Sequence, residues 1–163
     1  MRRRFGKMLS ELAKKDKKII LIVGDIGYGI FDDFRKNHPD RFFNLGICEQ
    51  SIISFASGAA LEGLKPWVYT ITPFLIERPF EQVKLDIDQQ KANVNLVGFA
   101  DYPSLGPTHA ELNAKKLMSL MKNIKSFFPE DSNQTEKFLL KSHKIKGPTF
   151  MSLKTDRKLN RNW

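Results

Sequence analysis

At 163 residues, 41% hydrophobic and 11% aromatic, the chain is long enough for one good core and too short for two. A single domain over residues 1–163 is expected, with its core at about 5–155 and a basic tail at 156–163. No run approaches the roughly 18 apolar residues of a membrane span. The basic start MRRRFGKMLSELAKKDKK lacks the apolar stretch of a signal peptide, and one cysteine forms no internal disulfide or Cys-based metal site, so a cytoplasmic location and no membrane are expected. The net charge of +9 is uneven: residues 19–113 carry 7 Lys and Arg against 12 Asp and Glu, and the two ends together carry 20 against 6. No aromatic residues interleave with the basic runs as base-stacking platforms would, which argues against nucleic acid as a partner.

In chain order, Phe5, Met8, Leu9 and Leu12 recur at helical spacing, and KIILIVGD is a short apolar β-branched run ending at Gly24-Asp25. A helix followed by a buried strand is expected. A second helix is expected near Ile30 to Asn37, stopped by Pro39, before the strand RFFNLG. The next helix carries Ile52, Ile53, Phe55, Ala56, Ala59, Ala60 and Leu61, is apolar nearly all round, and is therefore expected to be buried. PWVYTI is the third strand. Pro79 can then open a helix with Phe80, Val83 and Ile87 on one face and Glu81, Lys84 and Asp88 pointing outward. NVNLVGF is the fourth strand, and HAELNAKKLMSLMKN, IKSFFP, a helix from Ser132 to about Ser142, and PTFMSL repeat the alternation. Six strands alternating with helices predict an α/β fold, a doubly wound and mainly parallel sheet with helices on both faces.

In such a sheet, ligands gather beyond the carboxyl ends of the strands, where strand order reverses. Asp25 ends the first strand, Glu49 follows the second, Phe74 and Arg78 follow the third, and His109 follows the fourth. Each has an ordinary structural counterpart: a turn cap, a helix-start acid, a core ring. Glu49 is the least ordinary, because it opens an apolar helix where a carboxylate faces a desolvation cost that a partner sharing a proton would offset. Cys48 beside it reads as a small buried thiol. Dinucleotide GxGxxG, phosphate-loop and HExxH patterns are absent, so common cofactor motifs do not explain this rim.

The stretch FFNLGICEQSIISFASGAALEG, followed by PWVYTITPFLIERPFEQVKLDI, resembles the pyrimidine-binding domain of transketolases and related thiamine-diphosphate enzymes, and LGPTHAELNA resembles their GPTH motif. The likeness runs from about Val23 to Leu112, and more loosely to GPTF at Gly147. It implies that Glu49 hydrogen-bonds N1′ of the cofactor's aminopyrimidine. The shared proton favours the 4′-imino form, which removes the thiazolium C2 proton to make the nucleophilic ylide. Phe74 would stack on the pyrimidine, with Phe80 or Tyr69 supporting that aromatic wall. Asp25 would lie near the thiazolium charge, His109 would move protons at substrate oxygens, and Arg78 would orient the loop or a partner subunit.

Two departures shape the expectation. Where several transketolases place an aspartate four residues before the GPTH histidine, this chain has Leu105, with Asp101 as a candidate substitute from a longer loop. Gly24-Asp25-Ile26-Gly27 also breaks the GDG…N pattern that holds diphosphate and Mg²⁺ in the family. The resemblance therefore implies thiamine diphosphate as cofactor with Mg²⁺ held by a larger diphosphate-binding subunit, no metal site in this chain, a heterotetramer with that partner, and a homodimer when alone. The chain stops at Trp163, without the C-terminal domain that usually follows, and Met1 makes a natural small subunit plausible. Substrates would be a sugar phosphate or a 2-oxo acid. The alternatives are the small subunit of a 2-oxo acid decarboxylase or dehydrogenase component, or a non-catalytic scaffold.

Overall fold

Ile19–Val23, strand β1, is buried at all five positions, as a central parallel strand covered on both faces requires. A computed structural model describes residues 1–100 and 105–155, so Asp101 and the basic segment 156–163 lie outside the described residues. Five further strands follow: β2 (Phe42–Asn44), β3 (Lys65–Ile71), β4 (Asn95–Phe99), β5 (Lys125–Phe127) and β6 (Thr149–Leu153). They form one sheet in the order β2-β1-β3-β4-β6-β5, and every pairing is parallel. The expected fold class is the observed one.

Side chains on successive strand residues point to opposite faces, and two cores result. Leu21, Val23, Trp67 and Tyr69 meet helices α1 (Arg2–Lys15), α2 (Asp32–Asn37) and α7 (Ser132–Lys144). Ile20, Ile22 and Val68 meet α3 (Glu49–Leu61), α4 (Thr72–Ile76), a π-helix at Val83–Gln89 and α6 (Ala114–Met118). Helix α7 starts where its signal stands: the Asp131 side chain accepts from the backbone of Asn133 and Gln134 at 2.9 and 2.8 Å.

Three local expectations need correction. Helix α3 is buried on one side only; Phe55 is 43% and Leu61 68% exposed. Its inner side is fastened to the π-helix by Ser54 and Ser57, which donate to the Asp86 side chain and carbonyl at 2.7 and 2.8 Å. The long helix expected from His109 is cut to Ala114–Met118, because Asn113 caps it by accepting from Lys116 N at 3.0 Å.

The third correction concerns the helix after Pro79. A three-residue α5 (Phe80–Gln82) passes into the π-helix, whose wider i→i+5 winding rotates Asp88 inward. Asp88 is 6% exposed. Its carboxylate accepts from the backbone N–H groups of Lys122, Asn123 and Ile124 at 3.2, 2.7 and 3.1 Å, fixing the entry to β5. Asp88→Ala strands those donors and is expected to cost about 3 kcal/mol, since each hydrogen bond to a charged group contributes about 1.5–3 kcal/mol. Denaturant unfolding checks this, and a loss below about 1 kcal/mol contradicts the assigned role.

Candidate functional site

Chain order reverses beside β1: β2 lies on one side of it and β3 on the other. The crevice beyond the carboxyl ends of β1 and β3 is where such a sheet takes ligands. Asp25, just past β1, has φ 52°, a left-handed conformation that Asp tolerates better than most residues. Asn44, the last residue of β2, holds it there. The Asn44 side-chain oxygen accepts from Asp25 N at 3.0 Å and from Gly46 N at 3.1 Å, and its amide donates to Asp25 Oδ1 at 3.2 Å. Tyr28 Oη donates to the same oxygen at 2.9 Å. These hydrogen bonds, Asn44's first and Tyr28's second, hold the exposed Asp25 carboxyl below the usual carboxylate range.

Glu49 is the first residue of α3 and is 8% exposed. The preceding Cys48 is half-buried, and its thiol donates to Leu45 O at 3.0 Å, so it serves the turn that delivers Glu49. Helix α4 begins directly at the end of β3, over Gly98 of β4. A Cβ on Gly98 would stand 2.5 Å from Thr72 Oγ1 and 3.0 Å from Thr72 Cα, so only glycine lets α4 settle this close. That approach seats Phe74 beside Glu49's helix. Arg78 Nη1 donates to Glu49 Oε1 at 2.7 Å, and the Arg78 guanidinium carbon lies 3.6 Å from the centroid of the Phe74 ring. His109 meets the same ring at 4.9 Å and 64°.

Glu49, Arg78, Phe74 and His109 therefore form one connected group drawn from three strand ends, with Asp25 on a fourth. Tyr69 is not part of it. It lies on the opposite face of the sheet, 4.8 Å from the Phe31 ring and 6.2 Å from Phe5, with Arg2 Nε donating to its hydroxyl at 2.9 Å. Phe80 packs against the α3-side core. Both rings support the fold that carries the group.

Two residues of this region escaped sequence reading. Asn44 was visible only as the end of a strand-like run. Glu77 was an unremarked acid; its Oε1 accepts from Leu112 N at 2.8 Å and ties the end of α4 to the segment after His109. The His109 ring Nδ1 lies 3.0 Å from Thr108 Oγ1, and His109 N donates to Gly106 O at 3.0 Å.

A cavity of about 450 Å³ lies at the other end of the sheet, lined by Lys18, Leu64, Lys65, His143 and Lys146 among others, and touches none of these residues. Among the described residues, no group of three or more His, Cys, Asp or Glu side chains is arranged to hold a metal ion, and no helix is long and apolar enough to cross a membrane.

Removing a hydrogen bond to the charged form of Asp25 releases its proton affinity upward. Tyr28→Phe and Asn44→Ala are each expected to move the Asp25 titration toward ordinary carboxylate behaviour, read by carboxyl-carbon NMR. Because the folded-state value is depressed, any stability Asp25 contributes is present above its unfolded value and lost as pH falls through the folded one. An unchanged titration in both variants contradicts the assigned cause.

Comparison with known proteins places this geometry. The family model for the transketolase pyrimidine-binding domain matches residues 1–161. A 1-deoxy-D-xylulose-5-phosphate synthase of Nitrosomonas eutropha is 36% identical over 151 residues, covering 89% of this chain and 24% of the relative. A subunit of the apulose-4-phosphate transketolase of Phocaeicola vulgatus is 32% identical over 142 residues, covering 85% of this chain and 46% of the relative. A solved split-gene transketolase, described as an inactive β4 tetramer, superposes with TM-score 0.86 at 31% identity, over 95% of this chain and 51% of that one. The chain thus spans less than half of these curated relatives. Its residues, its sheet order and these likenesses agree: the chain belongs to the transketolase pyrimidine-binding domain family.

Proposed function

We propose that the chain is the pyrimidine-binding half of a transketolase-like thiamine-diphosphate enzyme that transfers a two-carbon, ketol-type fragment of a ketose or 2-oxo acid. The observation that carries this reading is the meeting of a nearly buried carboxylate, an aromatic face and an imidazole at one rim: Glu49, Phe74 and His109. The donor set fits an aminopyrimidine, which offers a flat face to stack and a ring nitrogen to share a proton. When bound, the cofactor supplies a nucleophilic carbon for attack on a carbonyl.

In this reading Glu49 holds a proton against the pyrimidine N1′, in surroundings dry enough to strengthen that hydrogen bond. Phe74 sets the plane of the ring. Asp25, kept ionised by Asn44 and Tyr28, faces positive charge. His109 gives and takes protons at substrate oxygens. Tyr69 and Phe80 act only through packing. The diphosphate and its Mg²⁺ fall to a larger diphosphate-binding subunit, with the site completed between chains in a heterotetramer.

Leu105 favours a second reading within the same chemistry. It is an exposed apolar residue beside the GPTH turn, where the family resemblance implies an aspartate that would accept a sugar hydroxyl. A two-subunit 2-oxo acid decarboxylase or dehydrogenase component would lack that need, and carbon dioxide release by the assembled enzyme separates the two. Ile47, Phe55, Leu61 and Leu85 are exposed apolar residues of the kind that subunit contacts cover, which supports a homodimer at least when the chain is alone.

Calorimetry and light scattering on one purified sample test the proposal. A stacking slot for one ring leaves the diphosphate charge unneutralised, so the isolated chain is expected to bind thiamine diphosphate weakly and to scatter as a dimer or larger. Submicromolar, Mg²⁺-dependent binding without a partner contradicts the shared site, and a strict monomer contradicts the assembly.

A further inference from the structure

Glu49 needs a hydrogen-bonding partner at every stage, because a nearly buried carboxylate left unpaired is strongly destabilising. In the structure Arg78 provides it, and the manner of the contact is informative. A guanidinium is flat, weakly hydrated, and able to stack on a ring while its edge donates hydrogen bonds. That of Arg78 does both at once: it lies 3.6 Å over Phe74 and donates to Glu49 Oε1 at 2.7 Å. His109 meets Phe74 edge-on at 64°, while the guanidinium carbon of Arg78 lies over the face of that ring. A stacked face and a donor to the Glu49 carboxylate are the two contacts that the proposed aminopyrimidine requires.

The backbone of Arg78 is fixed by hydrogen bonds, whereas its side chain, held among the described residues only by Glu49 and Phe74, borders solvent. Arg78 N donates to Pro73 O at 3.1 Å, and its carbonyl accepts from Gln50 Nε2 at 3.5 Å. The Arg78 side chain is 36% exposed against 10% for that of Glu49. Rotation about side-chain bonds alone can carry the guanidinium out to solvent, with α3 and α4 unmoved.

We propose that Arg78 is a placeholder for the pyrimidine ring: its guanidinium occupies the ring's two contacts and leaves when the ring arrives. The proposal rests on the reading of this rim as a pyrimidine site. Glu49 exchanges one partner for another and is never left unpaired. The cost is competition, since a site whose competent arrangement is only partly populated binds its ligand more weakly by that fraction.

The test is an NMR titration of the isotope-labelled full chain with thiamine, which carries the ring without the diphosphate. Wild type, Arg78→Gln and the Glu49→Gln/Arg78→Gln double variant are compared. The expected result is perturbation centred on Glu49, Phe74 and His109, with Arg78→Gln binding about five- to tenfold tighter than wild type, the scale of one cation–π contact plus one ion pair whose guanidinium borders solvent. The double variant should lose that gain. Folded Arg78→Gln that binds equally or more weakly overturns the proposal and makes Arg78 a fixed wall of the site. Thiamine perturbing a different surface in all three proteins overturns the pyrimidine-site reading itself, and the placeholder with it. Should Arg78→Gln fail to fold, the wild-type guanidinium signal decides: it should shift to fast solvent exchange as thiamine saturates, and an unmoved signal overturns the proposal.

Discussion

A carboxylate at the dry start of a helix must be paired, and the arrangement of the rim follows from that constraint. Glu49 cannot face solvent freely, because α3 is fastened to the π-helix through Ser54 and Ser57 and its first turn is held at the end of β2. The pairing group has to come from the next strand, and α4 brings it. That helix packs directly over Gly98, so Phe74 and the turn bearing Arg78 arrive beside Glu49. Glu77 then ties the following segment to α4. Charge, ring and imidazole converge through backbone placements that the hydrophobic sheet makes rigid.

The other end of the sheet has a different character. The cavity there is lined by lysines and carries no stacked ring or nearly buried acid. The Glu49 rim instead sets a nearly buried acid against a guanidinium that lies over a ring.

Much of the fold was legible in the sequence because parallel strands announce themselves as short, fully apolar runs. Ile19–Val23 and Asn95–Phe99 fall within the runs read as strands, and α7 begins at Ser132, as expected. Legibility failed where a tertiary contact overrode a local pattern. Asp88 sits at an outward position of an α-helix and turns inward only because the winding changes to π. The outer side of α3 has the composition of a core, yet among the described residues Phe55 and Leu61 stay exposed there. Tyr69 and Phe74 are five residues apart and read as one aromatic wall, yet strand alternation sends Tyr69 through the sheet while Phe74 belongs to the next helix. Glu49, Phe74 and His109 were singled out by motif, and the structure brings them together. Asn44 and Glu77 carry no motif and act by hydrogen bonds that only the folded chain reveals.

The central claim is that Glu49 shares a proton with the cofactor ring and is not simply a helix-start acid. The most direct measurement is C2–H/D exchange of thiamine diphosphate in the complex assembled with a diphosphate-binding partner, comparing wild type with Glu49→Gln. Loss of a general acid–base group lowers exchange about 10²- to 10⁴-fold, with unfolding nearly unchanged. A helix-start acid predicts the opposite pattern: equal exchange, and a stability loss of about 0.5 to 1 kcal/mol. Equal exchange rates would contradict the account.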